Sequence, residues 1–374
     1  MKRIEKVSSP RQLKVFIDFV HELYKDDPNY VPELFIAQRD LLTPGKHPFH
    51  EHSTVQPFLA YDGDRIVGRI AAILNNNYNS FNGVQEGFFG FFDCVDDSAT
   101  ADLLLNEAIS WVKQKGATKI LGPVNPSTNE PCGMLIEGFD QPAVVMMTYN
   151  AAYYPVLLEG AGFTKNVDLI AYQLTTKDYT DQRLQSITEA LKKRLSTRNI
   201  TFRPVDLKNF KEEVVKLREI YNSAWDKNLG FVPMTEKEFA YMAKDLKMIL
   251  DKDFCMVAEH EGKIVGFSLA VPDINQILIK IKRGRLLPTG ILKLLLGRKK
   301  INNLRVLALG IVEGYRKSGI DMYFYRSIIE NGLRKNFVSA EASWILEHNV
   351  PMNKAMLSIN GKPYKKYRIY EKVL

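Results

Sequence analysis

The pattern of hydrophobic and polar residues occurs twice along the chain in closely similar form. Residues 58–72, FLAYDGDRIVGRIAA, and residues 256–270, MVAEHEGKIVGFSLA, each consist of an apolar stretch, a polar turn containing a glycine, and a second apolar stretch. In both, an alanine stands eight residues before the glycine of the shared IVG. Apolar stretches on both sides of a short glycine-containing turn predict a β-hairpin in each place.

A second shared feature lies downstream of each hairpin. Asn150 and Asn349 each open a stretch with helical periodicity, and each precedes a glycine, Gly162 or Gly361, by twelve residues. The interval from the IVG glycine to the asparagine is 82 residues in one half and 83 in the other. Two unrelated amphipathic helices are the alternative, but the agreement of order and spacing favours a duplicated domain.

The boundary follows from the same pattern. Residues 166–174, NVDLIAYQL, predict the last strand of the first half, and residues 200–204, ITFRP, predict the first strand of the second. The predicted units are residues 1–175, a connection over 176–199 with a linker helix at 181–196, and residues 200–374.

The second half alternates between strand and helix patterns, which predicts an α/β fold. In one predicted helix, Ile320, Phe324 and Ile328 fall on one face, as in a helix that packs on a sheet. The predicted elements are strand 200–204, helix 207–224, helix 235–249, hairpin 254–272, strand 304–313, helix 318–334, strand 338–347, helix 350–359 and strand 364–372.

Composition narrows the possible partners. The chain has 374 residues, a net charge of +8 and a pI near 9.1, which favours acidic partners such as a phosphate-bearing cofactor, anionic lipid or nucleic acid. No apolar stretch approaches the length of a membrane span, and the N-terminus does not resemble a secretory signal. Three widely spaced cysteines indicate a reducing compartment, so we expect a cytoplasmic protein.

Much of the positive charge lies in residues 274–303, which contain eight Lys or Arg and no acidic residue. This basic segment alternates apolar and basic residues and then continues as GILKLLLG. It is either an amphipathic cover on the domain, a contact with an anionic membrane surface, a shield for a fatty acyl chain, or an RNA contact. It contains no aromatic residue for base stacking, so nucleic acid is an unlikely partner.

The stretch GIVEGYRKSGIDMY, residues 310–323, joins a predicted strand to a predicted helix. At such a junction the free N–H groups and the helix dipole favour an anion. Gly319 permits close approach of a phosphate, Arg316 and Lys317 add positive charge, and Ser318 offers a hydroxyl. A plain helix cap with solvated basic side chains is the alternative.

With the strand that follows and Asn349 at the next helix start, this order resembles the GNAT acyltransferase superfamily. The resemblance covers residues 200–374 well and 1–175 more loosely. It implies two tandem GNAT-like α/β domains, each with a mixed, mostly antiparallel sheet flanked by helices. It also implies that the turn holds the pyrophosphate of acetyl-CoA or another acyl-CoA. The cofactor-binding residues implied are Gly310, Ile311, Val312, Arg316, Lys317, Ser318, Gly319, Ile320 and Asn349.

The chain departs from the family at two positions. Asp321 stands where the family usually has Gly or Ala, and no Tyr lies in the helix after Asn349, where the family often has its general acid. Tyr364 or Tyr367, on the next predicted strand, is a substitute. For the base that takes the proton of an attacking amine, strand ends supply Glu313 and Glu347 as candidate catalytic residues. Each is alternatively a strand-end carboxylate paired with a Lys or Arg.

The first half lacks this turn. Its junction at 87–105 carries Asp93, Asp96 and Asp97, which suit a helix start but repel a pyrophosphate. Residues 122–142 form a Pro-, Gly- and Asn-rich loop that either walls the acceptor site or only bridges the halves. The histidines of KHPFHEH, 46–52, do not have a specific metal-ligand spacing, so we expect no metal.

Together these features predict an acyl-CoA-dependent N-acyltransferase that acts on a small amine or peptide. The resemblance implies that residues 227–235, beside Trp225, cap the acceptor site, and their aromatic and apolar side chains suggest a partly apolar acceptor; helix-packing residues around a turn are the alternative. The alternatives are a non-catalytic protein that binds CoA or lipid, and a transferase that uses aminoacyl-tRNA. The sequence does not determine the acyl length, the acceptor or the oligomeric state.

Overall fold

A computed structural model describes residues 1–179, 182–225 and 229–374. Its strands are β1 Lys2–Lys6, β2 Thr54–Asp62, β3 Arg65–Leu74, β4 Glu86–Cys94, β5 Lys119–Gly122, β6 Met134–Glu137, β7 Thr164–Thr175, β8 Ile200–Pro204, β9 Cys255–His260, β10 Lys263–Pro272, β11 Asn303–Ile311, β12 Ser339–Leu346 and β13 Lys362–Val373. Its α-helices are α1 Pro10–Leu23, α2 Phe35–Leu41, α3 Asn76–Asn82, α4 Ser98–Lys113, α5 Tyr154–Gly160, α6 Gln182–Ser196, α7 Phe210–Ala224, α8 Glu236–Lys247, α9 Asn275–Leu278, α10 Gly290–Gly297, α11 Ile320–Arg334 and α12 Val350–Ser358.

Local sequence explains where several helices begin. The side chain of Ser9 accepts a hydrogen bond from the backbone of Gln12, and Pro10 occupies the first turn of α1. Thr235 and Glu238 exchange hydrogen bonds at the start of α8 and so form a capping box. These signals are readable in the sequence, and both helices begin close to them.

The strands form one continuous sheet with parallel and antiparallel pairs, and helices pack against it to give an α/β fold. The same order of strands occurs in each half. The path is β1-β2-β3-β4-β5-β13-β7-β12-β11-β10-β9-β8, and β6 pairs with β13 beside it. In each half, antiparallel strands lead to one parallel pair, β4 with β5 and β11 with β12. The predicted fold class and both predicted hairpins are confirmed.

The two halves exchange their last strands. Strand β7, which ends the first half of the chain, pairs with β12 of the second half, and the C-terminal strand β13 pairs with β5 of the first. β7 and β13 also pair with each other, so they join the two copies at the centre of the sheet. The division at residues 1–175 and 200–374 stays a proposal, and each half relies on a strand from the other.

The glycine of the repeated IVG has a packing reason. A Cβ at Gly68 would lie 2.6 Å from Leu104 of α4, and one at Gly266 would lie 3.0 Å from the Gly310 carbonyl oxygen. Helix α4 packs on β3 and β4, and α11 packs on β10 and β11. The repeat therefore marks where neighbouring elements approach too closely for a side chain.

The predicted elements of the second half all occur, with one consequential difference. The predicted strand 304–313 ends at Ile311, so Glu313 does not lie on a strand but opens a short 3₁₀ turn, Glu313–Tyr315. The strand-end geometry expected for Glu313 is therefore wrong. The predicted linker helix 181–196 appears as α6, and residue 181 lies outside the described residues.

Candidate functional site

A gap opens between the parallel strands β11 and β12. They pair only from Asn303 with Ser339 to Val306 with Ala342. Beyond that pair the ladder between β11 and β12 ends, while β12 stays paired with β7 on its other side from Ser339 to Leu346. Four residues of β11, from Leu307 to Gly310, cover about 13 Å along one wall of the gap. The gap therefore has a closed end at Val306 and an open end near the start of α11.

The start of α11 has the properties of an anion site. Its N-cap is Gly319, with φ +99°, and no side chain among the described residues caps the helix. The Ser318 hydroxyl is buried beside it and has no hydrogen-bond partner in the described part of the chain. The first-turn N–H groups and this hydroxyl thus lack the partners that a phosphate could supply, and the Leu191 side chain of α6 lies against Gly319, 2.6 Å from the position of a Cβ there.

The two basic residues of the turn differ in their contacts. Arg316 donates to the Ile311 carbonyl at 3.3 Å and, from its terminal nitrogen, to the Ala224 carbonyl at 3.0 Å. Lys317 is exposed, with φ +61°. Arg316 therefore holds the turn against β11 and α7, while Lys317 extends into solvent.

The backbone groups predicted to contact the CoA arm do not all face the gap. Val312 N–H donates to the Val265 carbonyl of β10 at 3.0 Å. Because successive residues of a strand point their polar groups to opposite sides, Gly310 also faces β10, and Ile311 and Leu309 face the gap. The predictions for Gly310 and Val312 are therefore wrong in this respect, and Leu309, which no motif singled out, faces the gap together with Ile311.

The remaining predicted residues lie at the same edge of the sheet, with structural contacts of their own. The Asn349 side chain caps α12 by accepting from Met352 N–H at 3.2 Å. Glu347 pairs with Lys165 at 2.6 Å and accepts from Asp168 N–H at 3.0 Å. The pKa of Glu347 is lowered: desolvation opposes this shift, and the hydrogen bond from Lys165 is the largest effect in its favour. The catalytic roles of Glu313 and Glu347 stay predictions.

The corresponding place in the first half is filled by the protein itself. Asp97 caps α4 by accepting from Thr100 N–H at 2.7 Å and also pairs with Lys2. These hydrogen bonds, led by the one from Lys2, lower the pKa of Asp97 to about 2. A carboxylate therefore sits where a phosphate would need to bind.

The gap beside β4 is filled as well. Val124 N–H donates to the Phe89 carbonyl at 2.8 Å, and the Asn125 side chain accepts from Phe91 N–H at 2.7 Å. A Cβ at Gly90 would lie 1.8 Å from the Val124 carbonyl oxygen, so the loop lies directly on the strand. The start of the 122–142 loop thus occupies the first half's gap.

The same loop then crosses to the second half. Thr128 donates to the Gly230 carbonyl at 2.6 Å, and Asn129 donates to the Val232 carbonyl at 3.1 Å. Trp225, at the end of α7, packs over Gly310: a Cβ there would lie 2.5 Å from its ring. Of the predicted cap 227–235, residues 227 and 228 lie outside the described residues.

A buried polar cluster lies at the closed end of the gap. Glu341, 1% exposed, pairs in register with Arg305 of β11, which is 2% exposed. Tyr364 and Ser343 each donate a hydrogen bond to the Glu341 carboxylate. Arg305 donates to the Val145 carbonyl at 2.8 Å and lies 5.0 Å from the centre of the Trp344 ring. First-half residues therefore cover this face of the second half's strands.

Burial dominates the electrostatics of this cluster. Desolvation, followed by the Glu341 charge, raises the pKa of Tyr364 far above its usual value. Desolvation lowers the pKa of Arg305. Nearby, burial raises the pKa of Asp273 to about 6, and its carboxylate accepts from Val145 N–H at 2.8 Å. Glu341 and Ser343 are two residues apart on the predicted strand 338–347 and so share a face, but burial of that face depends on residues about 200 positions earlier in the chain.

The loop supplies one more acidic group between the halves. Burial, reinforced by the charge of Glu238, raises the pKa of Glu130 to about 8. Its carboxylate lies 3.9 Å from His47 Nε2. His47 Nδ1 accepts from Phe49 N–H, so its proton is on Nε2, toward Glu130. Glu130, 22% exposed, is therefore a partly buried carboxyl group with a raised pKa on the α8 side of the interface.

The other histidines of KHPFHEH also have defined partners. His50 Nε2 lies 2.9 Å from the Leu41 carbonyl, and His52 Nε2 lies 3.1 Å from Glu238. Among residues 1–179, 182–225 and 229–374, no group of three or more His, Cys, Asp or Glu is arranged to hold a metal ion. Within the same ranges, no helix is both long and apolar enough to cross a bilayer.

The chain resembles two bacterial proteins over nearly its whole length. No protein-family model matches the chain. The chain is 37% identical over 370 residues to "Protein YghO" of Escherichia coli K12, covering 96% of this chain and 92% of that protein. It is 34% identical over 375 residues to "Bacterial ceramide synthase" of Caulobacter vibrioides, covering 98% and 96%.

Solved structures match the fold at low sequence identity. A tandem GNAT protein from the clavulanic acid biosynthesis pathway aligns with TM-score 0.59 and 10% identity, covering 100% of this chain and 98% of that one. A GCN5-related N-acetyltransferase from Sphaerobacter thermophilus aligns with TM-score 0.55 and 12% identity, covering 100% and 95%. The chain has the tandem GNAT fold and belongs to the family that contains YghO and bacterial ceramide synthase.

Proposed function

We propose that the protein is an acyl-CoA-dependent N-acyltransferase whose second half binds the CoA and whose two halves together form the acceptor site. The observation that carries the proposal is the open start of α11 beside an open gap, where Ser318 and the first-turn N–H groups have no partner in the described part of the chain. Arg316, Lys317, Gly319 and Ile320 complete the phosphate contacts. The thioester then points along β11 toward the closed end of the gap.

The reaction follows from this placement. The acceptor amine loses a proton, and its nitrogen attacks the thioester carbonyl carbon and forms a C–N bond. The C–S bond then breaks, and the CoA sulfur leaves as a thiolate that takes up a proton. The site must hold the amine against the thioester and provide a group that accepts its proton. Glu313 and Glu347 are the sequence-based candidates for that group, and they compete with the buried Glu341 carboxylate.

The acceptor we propose is an amine with a long apolar chain. The relative from Caulobacter is named a ceramide synthase, and a ceramide is the N-acyl product of a long-chain amino alcohol. Trp225 and Phe267, 5.9 Å apart, give the gap an apolar wall on the α7 side. Such a wall suits a fatty acyl chain or an apolar acceptor more than a charged peptide.

The basic segment 274–303 would bring the enzyme to an anionic membrane surface. Its inner side packs against the first half through Leu278 and Ile281. Its outer side leaves large apolar side chains in solvent, with Leu287 74%, Leu295 67% and Leu296 68% exposed. Basic residues border these leucines, a combination that binds anionic bilayers. An amphiphilic acceptor would be available at the same surface.

The function is tested with purified protein, a series of acyl-CoAs from acetyl to palmitoyl, and amines with and without long chains. Thiol release should require both substrates and should coincide with an amide product of the expected mass. CoA binding without thiol release for any amine would favour the non-catalytic alternative. Absence of acyl-CoA binding would remove the proposal.

Membrane binding is tested by flotation with phosphatidylcholine vesicles with and without phosphatidylglycerol. Leu295→Glu with Leu296→Glu should abolish binding to the anionic vesicles. Val156→Glu is a matched control, because Val156 is 69% exposed on α5 in the first half. Equal flotation of the double variant and the wild type would exclude the segment as the contact.

A further inference from the structure

The buried cluster around Glu341 has more polar atoms than it can satisfy. Arg305 Nε, Trp344 Nε1 and the Tyr367 hydroxyl are buried, and none has a hydrogen-bond partner among the described residues. Tyr367 is fully buried, and this burial, followed by the Glu341 charge, raises the pKa of its hydroxyl well above the usual value. Unpaired buried polar groups are rare in folded proteins, and one explanation is a ligand that supplies the partners.

The unpaired atoms define the chemistry of that ligand. Arg305 Nε and Trp344 Nε1 are donors only, and the Tyr367 hydroxyl can donate or accept. Glu341 is a carboxylate that already accepts from Tyr364 and Ser343. A carboxylate favours an ammonium group, and two donor-only atoms favour an oxygen acceptor nearby. The complementary ligand is a primary amine with a hydroxyl or carboxyl oxygen on the neighbouring carbon.

The position of the cluster fits a reacting group. The ladder between β11 and β12 ends at Val306 and Ala342, one residue beyond the Arg305 and Glu341 pair. Ser343 and Trp344 are the first residues of β12 past that point. A thioester that runs along β11 from the start of α11 would end beside them.

We propose that Glu341 is the catalytic base and that Arg305, Trp344 and Tyr367 bind the oxygen next to the acceptor amine. Glu341 takes one proton from the bound ammonium, the neutral amine forms the C–N bond, and the thiolate leaves as the C–S bond breaks. Tyr364 donates its proton to the thiolate and recovers one from the protonated Glu341. One proton is released to solvent overall. This proposal rests on the proposed acyl transfer.

Binding is measured apart from catalysis through Trp344. Trp111→Phe and Trp225→Phe leave Trp344 as the chain's remaining tryptophan, since there are three. The probes are 2-amino-1-dodecanol, 2-aminododecanoic acid and dodecylamine, which have the same chain length. We expect one of the two oxygen-bearing probes to change the Trp344 fluorescence at a concentration about tenfold below dodecylamine. Equal changes in Trp344 fluorescence with all three probes would rule out a binding site for the oxygen next to the amine.

Catalysis is measured with five single Glu→Gln variants. Glu341→Gln should lower kcat about 100-fold and remove the acidic limb of the kcat/KM profile, with acyl-CoA affinity unchanged. Glu313→Gln, Glu347→Gln and Glu130→Gln test the competing carboxyls and should each change kcat less than threefold. Glu330→Gln, on the exposed face of α11, is the control. A large loss in any competing variant, with Glu341→Gln active, overturns the proposal.

The outcomes separate this inference from the proposed function. If the wild type transfers the acyl group and a folded Glu341→Gln variant is equally active, the proposed acyltransferase function holds and Glu341 is not the catalytic base. If a probe changes the Trp344 fluorescence but no acyl transfer occurs, the amine-binding site holds and the proposed acyltransferase function is ruled out. If Glu341→Gln does not fold, Tyr364→Phe takes its place, with an expected loss of about tenfold in kcat and an altered pH profile.

Discussion

The starts of α4 and α11 occupy equivalent places in the two halves, but they differ in the helix cap and in whether the neighbouring gap is filled. At α4 the Asp97 carboxylate fills the anion position, and the loop from Val124 fills the neighbouring gap. At α11 the cap is a glycine, a buried serine hydroxyl has no partner in the described part of the chain, and the gap stays open. A duplicated fold therefore does not imply a duplicated site.

The closed half still has a part in the site. The loop that fills its own gap continues to Gly230 and Val232, and its neighbour Val145 accepts a hydrogen bond from Arg305. The strand exchange of β7 and β13 fixes this arrangement, since Tyr364 reaches Glu341 from β13. The first half thus serves as the wall of the second half's site.

The largest expected effect comes from giving α11 the cap of α4. Ser318→Asp places a carboxylate beside the free N–H groups, where it repels the CoA phosphates by roughly 3 kcal/mol at a separation near 5 Å. Acyl-CoA affinity should fall about 100-fold by titration calorimetry. Ser318→Asn is the matched neutral variant and should stay within threefold of the wild type. Similar affinities for the two variants would mean that the phosphates bind elsewhere.

A smaller effect concerns acid stability and the first half. Burial lowers the pKa of both His21 and His47 to about 4, so each is neutral when folded and takes up a proton near pH 6.5 when unfolded. Their contribution is complete above pH 6.5 and is lost as the pH falls toward 4. By pH 5 each costs about 2 kcal/mol of unfolding free energy.

Urea unfolding at pH 7.5 and pH 5 measures this loss. His47→Asn keeps an acceptor for Phe49 N–H. It should change the difference in unfolding free energy between pH 7.5 and pH 5 by about 2 kcal/mol relative to the wild type, in the direction of greater stability at pH 5. His348→Asn, at an exposed position, is the control and should leave it unchanged. A pH dependence that is the same in His47→Asn as in the wild type would show that His47 is not buried as described.

The smallest expected effect comes from removing the cap of α4. Asp97→Ala loses a helix cap and the pair with Lys2, at a cost of about 1 kcal/mol. It should not create a second acyl-CoA site, because Val124 and Asn125 still fill the gap. Asp96→Ala, at the exposed neighbouring position, should be neutral in urea unfolding. A second bound acyl-CoA in Asp97→Ala would show that the cap alone closes the first half.

The sequence predicted local structure well and pairing poorly. Hydrophobic periodicity located both hairpins and the junction at Gly319, because those features depend on nearby residues. The exchange of β7 and β13 was not predictable, since either strand has the pattern to pair with β5 or β12. Glu313 was misplaced because the strand ends two residues earlier than the apolar run indicates.

The candidate site was likewise predicted only where its residues have a local sequence signature. Gly319 and Ser318 were found because a turn before a helix has a local signature. Glu341 lies within the predicted strand 338–347, yet its burial comes from Tyr364 and from residues near Val145. Contacts between residues distant in the sequence determine which carboxylate is buried, and the periodicity of a single strand does not predict those contacts.

The most direct test of the account is the stoichiometry of acyl-CoA binding. Calorimetric titration of the wild type with acetyl-CoA and octanoyl-CoA should give one bound equivalent per chain, and Ser318→Asp should lose it. Two equivalents, or one that persists unchanged in Ser318→Asp, would contradict the claim that the second half alone holds the CoA.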